Sequence, residues 1–188
     1  MKKISNKNTM ARIIAIVMSV LVLGAATACS NLKGDDDDVT NAKSKITLEE
    51  AKDAALKEAG NGTVIGYQLD ADNGKLNYEI TITDGNAVKE YRIDGDSGKV
   101  LKVEAEDNES DDNDKMLVSV NPEIDLAKAE SLVKEKYPKG TIKVLRLDVE
   151  NNALVYDVTV INGKQEVETK ISATDGSFFK EETESHND

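Results

Sequence analysis

Tyr78-Glu-Ile-Thr-Ile82 returns 78 positions later as Tyr156-Asp-Val-Thr-Val160, and the same offset carries Ile46-Thr-Leu-Glu-Glu-Ala51 onto Ile124-Asp-Leu-Ala-Lys-Ala129. Between 46–102 and 124–180 the register holds without a gap, and 16 of the 57 paired positions are identical. Self-similarity at a fixed period over this many landmarks marks an internal duplication. The chain carries two copies of one small unit, and each copy can be read against the other.

Within each copy the hydrophobic period changes in the same order. Thr47 with Glu50 three residues on forms a capping box, and Leu48, Ala51, Ala54, Ala55 and Ala59 follow at helical spacing until Gly60-Asn-Gly62. The second copy uses Asp125 as cap, then Leu126, Ala129, Leu132, Val133 and Tyr137, and stops at Pro138-Lys-Gly140. Strand signals come next: Asn73-Gly74 divides Thr63–Ala71 from Leu76–Thr83, and Asp84-Gly-Asn86 divides that from Val88–Asp94. Asn151-Asn152 and Asn162-Gly163 take those places in the second copy, and Gly98–Leu101 or Gly176–Phe179 offers a short fourth strand. Leu76, Tyr78, Ile80 and Ile82 alternate with Asn77, Glu79, Thr81 and Thr83, so one sheet face is apolar and the helix must cover it. The expected fold class is α+β: two tandem repeats, each one amphipathic helix packed on a three- to four-stranded antiparallel sheet. Units of about 60 residues bury little surface alone, so packing of the repeats on each other is plausible, although the linker permits independence.

Ahead of the repeats, Lys2, Lys3, Lys7 and Arg12 precede an apolar run from Ile13 to Ala28, the pattern of a secretory signal. Its end, Leu23-Gly-Ala-Ala-Thr-Ala-Cys29-Ser30, resembles a bacterial lipobox, with Ala26 where Leu is commoner. Cys29 is the only cysteine, so an intramolecular disulfide is ruled out, and its expected role is lipidation. Each buried methylene of an acyl chain contributes about 0.8 kcal/mol, so the expected location is the cell membrane, lipid-anchored and facing outside the cytoplasm. Formal net charge is −12, and removing the four cations of the signal leaves −16, which argues against nucleic acid as a partner. The acid concentrates in Asp35–Asp38 and in Glu106–Asp114, blocks that self-repel and read as a stalk and a linker. Neither has the spacing of an EF-hand calcium loop. The expected organisation is a signal peptide at 1–28, an acidic flexible linker at 29–44, repeat one at 45–105, an interdomain linker at 106–118, repeat two at 119–183 and a polar tail at 184–188.

Reactive groups are few. His186 is the only histidine and lies in a polar tail, so neither a zinc site nor a Ser-His-Asp triad can be assembled, and acylation of Cys29 removes the only thiol. No catalytic residue, metal ligand or cofactor is assigned, and the chain is read as non-enzymatic. Tyr67, Tyr78, Tyr91 and Tyr156 fall at or near inward positions, where core packing is the ordinary role.

Leu48-Glu-Glu-Ala51, Asn77-Tyr78-Glu79-Ile80 and Ile93-Asp-Gly-Asp-Ser-Gly98-Lys-Val-Leu101, answered by Ala127-Lys-Ala129, Val155-Tyr156-Asp157-Val158 and Ile171-Ser-Ala-Thr-Asp-Gly176, together resemble the PepSY domain. The second copy departs at Ser172, where the first has Asp94, and at Ser177-Phe178-Phe179. The resemblance implies a non-catalytic extracytoplasmic module of the kind found in propeptides of thermolysin-like metallopeptidases and in envelope proteins. The implied function is binding and inhibiting or regulating a secreted or membrane-bound peptidase. The two-repeat arrangement is similar to that of beta-lactamase inhibitor protein, which points to the outward sheet residues as the contact surface: Gln68, Glu79, Thr81, Glu90 and Arg92, with Arg146, Asp157, Thr159, Glu168 and Lys170. An ordinary solvated face is the plainer reading of the same residues, and the absence of Trp removes one of the usual hot spots. The alternative function is an envelope scaffold or sensor that binds peptides, glycans or cations through its acidic surface.

Overall fold

Thr47 opens the first helix by accepting the Glu50 N–H at 3.2 Å, while the Glu50 carboxylate accepts the Thr47 N–H at 2.7 Å, so the reciprocal cap satisfies two donors. The computed structural model describes residues 38–105, 116–118 and 121–185. Helix α1 runs Leu48–Ala59 and ends on Gly60 at φ 76°; α2 runs Leu126–Lys136 from the Asp125 cap, whose carboxylate accepts the Lys128 N–H at 2.7 Å. Each helix turns its small or branched residues inward, Ala51 and Ala55 in one, Ala129 and Val133 in the other, all fully buried.

Eight strands follow in chain order: β1 Thr63–Asp72, β2 Lys75–Thr83, β3 Val88–Asp94, β4 Val100–Ala105, β5 Thr141–Glu150, β6 Ala153–Asn162, β7 Gln165–Ser172 and β8 Phe178–Ser185. Asn73 and Gly74, at φ 51° and 73°, supply the left-handed pair that a tight hairpin demands, and Asn151 and Asn152 do so at 52° and 66°. All strands join in one antiparallel sheet in the order β4-β3-β2-β1-β5-β6-β7-β8. The order is symmetric about the β1–β5 seam, where Tyr67 lies opposite Leu145. Those two positions are 78 apart, so the duplicated units are related by an internal two-fold running through the seam.

Close approach at the seam requires Gly66, because a Cβ there would lie 2.6–2.8 Å from the Cγ, Cα and Cβ of Arg146. The helix side of the same axis carries Lys52 and Glu130, again 78 apart, at 3.5 Å with side chains only 13% and 14% exposed. Lys52 also stands over the Tyr67 ring at 5.0 Å. Two tyrosine hydroxyls tie the entry of each helix to its sheet: Tyr78 donates to the Ile46 carbonyl and Tyr156 to the Ile124 carbonyl, both at 2.8 Å.

Repeats that the acidic linker leaves free to act independently instead share one sheet and one buried core. Several expected boundaries shift with it. Residues 38–44, expected within a flexible linker, fold: Val39 is buried and Lys43 bridges to Lys75. Residues 116–118 form a helical turn in which Leu117 is buried and the Val118 carbonyl accepts the Thr83 hydroxyl at 2.9 Å. The fourth strands are longer than expected, and β8 takes in Glu184 and Ser185 from the expected tail. The expected signal sequence, Cys29, Asp35–Asp37 of the first acidic block, all of the second and His186 lie outside the described residues.

Candidate functional site: the polar face of the sheet

Residues opposite each other in an antiparallel pair share a face, and the register puts Gln68 with Glu79, Glu79 with Arg92, and Thr81 with Glu90. In the second copy Arg146 faces Asp157, Asp157 faces Lys170, and Thr159 faces Glu168. All ten candidate residues therefore lie on the face away from Tyr67, Ile80, Leu145 and Val158, which are in the core under the helices. They are not a loosely solvated set. Thr81 and Lys170, expected as outward residues, are on this face but only 4% and 5% exposed, and the other eight are half-buried. Long charged side chains lying across the pleats shield one another there.

Two charge triads repeat the internal symmetry. In repeat one Arg92 sits between Asp70 at 2.5 Å and Glu79 at 3.9 Å. In repeat two Lys170 takes the place of Arg92, hydrogen-bonded to Asp157, 3.4 Å from Glu150, and under the influence of Asp148. Burial works against the Lys170 ammonium, but the Asp157 hydrogen bond and the surrounding carboxylates outweigh it and hold its pKa above the ordinary lysine value. Glu150 is shared with Lys180, whose hydrogen bond leads in holding its carboxyl below the usual range.

Three carboxylates on this face are pushed up. Burial leads for Glu79, with Glu90 and Asp70 adding repulsion; burial leads for Asp148, followed by the Asp157 charge. For Glu168 burial is followed by Glu166, Glu184 and Glu182. Register explains that crowding, since Glu166 faces Glu184 and Glu168 faces Glu182, like charges directly across β7 and β8. Symmetry shows what is missing: Glu90 bonds Arg146 at 2.5 Å across the seam, whereas the equivalent partner for Glu168 is the neutral Gln68. Asp70, Asp148, Glu150, Glu166, Glu182 and Glu184 were not among the expected site residues. Their strand parity was the available signal, because each but Glu184 lies two or four positions from a residue that was chosen or pairs with one, and Glu184 pairs with Glu166.

Acids of this face around Arg92, Arg146 and Lys170 lie beside bases, whereas those of β7 and β8 are crowded together; among the described residues there is no histidine, no cysteine and no group of three or more His, Cys, Asp or Glu side chains able to hold a metal ion. Among the same residues no helix is long and apolar enough to cross a membrane.

Residues 45–104 and 123–182 each match the family model described as the peptidase propeptide and YPEB domain. The uncharacterized protein YkoJ of Bacillus subtilis (strain 168) is 41% identical over 63 residues, which are 33% of this chain and 36% of YkoJ, so the similarity spans about a third of that protein. A crystal structure of a "putative lipoprotein (CD1622)" from Clostridium difficile 630 superposes with a TM-score of 0.49 at 19% identity, covering 80% of this chain and all of that one. With both repeats matched, the chain belongs to the PepSY family.

Proposed function

We propose that the protein is a non-catalytic lipoprotein, anchored through Cys29 outside the cytoplasm, that binds and restrains a secreted or membrane-bound peptidase through the polar face of its sheet. The observation that carries this reading is the fusion of two PepSY units into one eight-stranded sheet with duplicated acid–base clusters on the face away from the helices. One broad face with alternating charge recognises a partner by complementary potential and rejects mismatched ones. The family supports the partner class, since its description ties the domain to peptidase propeptides.

The test is inhibition. Full-length protein is titrated into a thermolysin-type metallopeptidase and into secreted peptidases of the serine class, with cleavage of a fluorogenic peptide as the readout. Dose-dependent inhibition that weakens in Glu168→Lys is the expected result; that variant reverses charge on the face while relieving the repulsion around Glu168. Hydrolysis by the protein alone refutes the non-catalytic reading. No inhibition of any class transfers the function to the scaffold or sensor alternative.

A further inference from the structure

The internal two-fold carries each row of the polar face onto another row, so a row filled in one repeat can be compared with its counterpart in the other. Across the seam one row runs Arg146, Gly66, Thr81, Glu90. The Arg146 side chain lies along it: a Cβ on Gly66 would stand 2.6 Å from its Cγ, and its guanidinium donates to Glu90 at 2.5 Å. Thr81, on the path between, is only 4% exposed. Exchanging positions 78 apart gives the counterpart row, Gln68, Val144, Thr159, Glu168. Here the covering arm has no equivalent. Gln68 is neutral and shorter, and Val144 places a branched side chain where Gly66 leaves the floor bare. Thr159 is half-buried where Thr81 is buried. No described cation pairs with Glu168, since Lys143 is taken by Glu166 and Lys170 by Asp157.

We propose that the partner held by the polar face completes this row with an arginine side chain of its own, laid over Val144 and Thr159 with its guanidinium on Glu168. The inference rests on the polar face being the contact surface, and it names the group that a bound peptidase presents there. Acidity alone does not select the occupant; the filled counterpart does, because the equivalent carboxylate in repeat one already holds a guanidinium that has crossed the equivalent threonine. Val144 and the Thr159 methyl give an apolar floor on which an arginine stem can lie while its head stays on polar groups. Glu182 faces Glu168 across β7 and β8, so two carboxylates stand at the end of the row. A planar fork of five donors serves both, where an ammonium acts as a point charge. Burial first, then the neighbouring acids, push the Glu168 carboxyl up in the free protein, and an incoming cation relieves that repulsion.

Isotope-labelled full-length protein is titrated with acetyl-arginine methylamide, with its lysine and citrulline analogues as controls, and amide and side-chain carboxyl shifts are followed. The expected result is saturable perturbation centred on Val144, Thr159, Glu168 and Glu182, with the arginine probe on the order of tenfold tighter than the neutral citrulline analogue and tighter than the lysine one. Glu168→Gln, which keeps the shape of the side chain, abolishes that response. The double variant Gln68→Arg with Val144→Gly rebuilds the repeat-one row in repeat two, fills the slot from within and excludes the probe; Glu168→Gln alone serves if the double variant does not fold. Equal response to lysine and arginine, shifts spread over the other acidic residues, binding retained in Glu168→Gln, or no saturable shift up to the solubility of the probe overturns the proposal. The probe involves no peptidase, so the two readings fail separately. Peptidase inhibition left intact by Glu168→Gln overturns the arginine contact alone, whereas arginine binding at Glu168 with no peptidase inhibited supports the slot and refutes the peptidase reading.

Discussion

Lys170→Met removes the one cation of the repeat-two triad while keeping its length, so the loss is electrostatic and not a cavity. Lys170 is 5% exposed, hydrogen-bonded to Asp157 and 3.4 Å from Glu150. Breaking a buried ion pair by deleting one partner costs about 3–5 kcal/mol, because the remaining charge is left uncompensated. Glu150 keeps Lys180, which places the expected loss near the lower bound, about 3 kcal/mol, against a total stability of about 5–15 kcal/mol. The pH dependence has a definite sign. The Lys170 pKa is raised by folding, so its contribution is fully present below its ordinary value and disappears only in alkali as pH rises through the raised one. Without that cation Asp148, already pushed up by burial and by Asp157, rises further. An acid raised by folding destabilises above its folded pKa and ceases to do so as pH falls through it. The deficit of Lys170→Met is therefore greatest at pH 7.5 and shrinks at pH 4.5. Urea unfolding followed by circular dichroism at both pH values, with the slope m compared between variants, measures it. A loss below about 1 kcal/mol at pH 7.5, or one that is the same at both pH values, refutes the reasoning.

Tyr156→Phe leaves the Ile124 carbonyl without its hydroxyl donor and should cost about 1–2 kcal/mol in chemical unfolding. Tyr78→Phe should cost less, since Ser44 Oγ also donates to the Ile46 carbonyl at 2.8 Å and keeps it satisfied. Gly66→Ala drives a methyl group into the Arg146 backbone and Cγ, and should destabilise by about 1–3 kcal/mol with faster proteolysis at the seam. Glu168→Gln should raise stability at pH 7.5 by less than about 1 kcal/mol and leave it unchanged at pH 4: Glu168 is raised by folding, so its penalty exists only above its folded pKa. Cys29→Ala should move the protein from the membrane to the soluble fraction in cell fractionation, and continued membrane retention refutes lipid anchoring.

Local structure was legible wherever one residue type has one physical job. Thr47 with Glu50, the Asn-Gly and Asn-Asn turns, and the alternation from Leu76 to Thr83 each act within a few residues, and strand parity placed all ten candidate residues on one face. The β1–β5 seam was not legible. Gly66 looks like any strand glycine, and its meaning depends on Arg146, a residue 80 positions away. Burial of Lys170 was hidden for the same reason, because its environment comes from Asp157 on β6 and from Asp148 and Glu150 on β5. The reach of β4 and β8 was missed because an edge strand has one partner and an exposed outer side, so Lys102, Glu104 and Glu182 gave no strand signal and Glu184 read as part of a tail.

Divergence between the copies carries as much information as their identity. On the axis of a two-fold seam a position meets its own equivalent, so identical repeats would place like beside like there: two lysines or two glutamates where Lys52 and Glu130 now meet at 3.5 Å. Half-buried like charges at that distance oppose pairing, and the substitution of one sign for the other turns the same contact into an attraction. The change also gives the seam a direction. Repeat one pairs favourably with repeat two and unfavourably with another repeat one, which disfavours like-with-like pairing between copies of the chain. The outer edges, where no equivalent position is met across the axis, were free of that constraint. There the copies diverged in a different sense, one joining Lys136, Tyr137, Phe178 and Glu181 between helix and edge strand, the other carrying Glu58, Ala59, Val100 and Val103 at those positions. A duplicated fold thus uses its seam to hold the halves together and its edges to make them different.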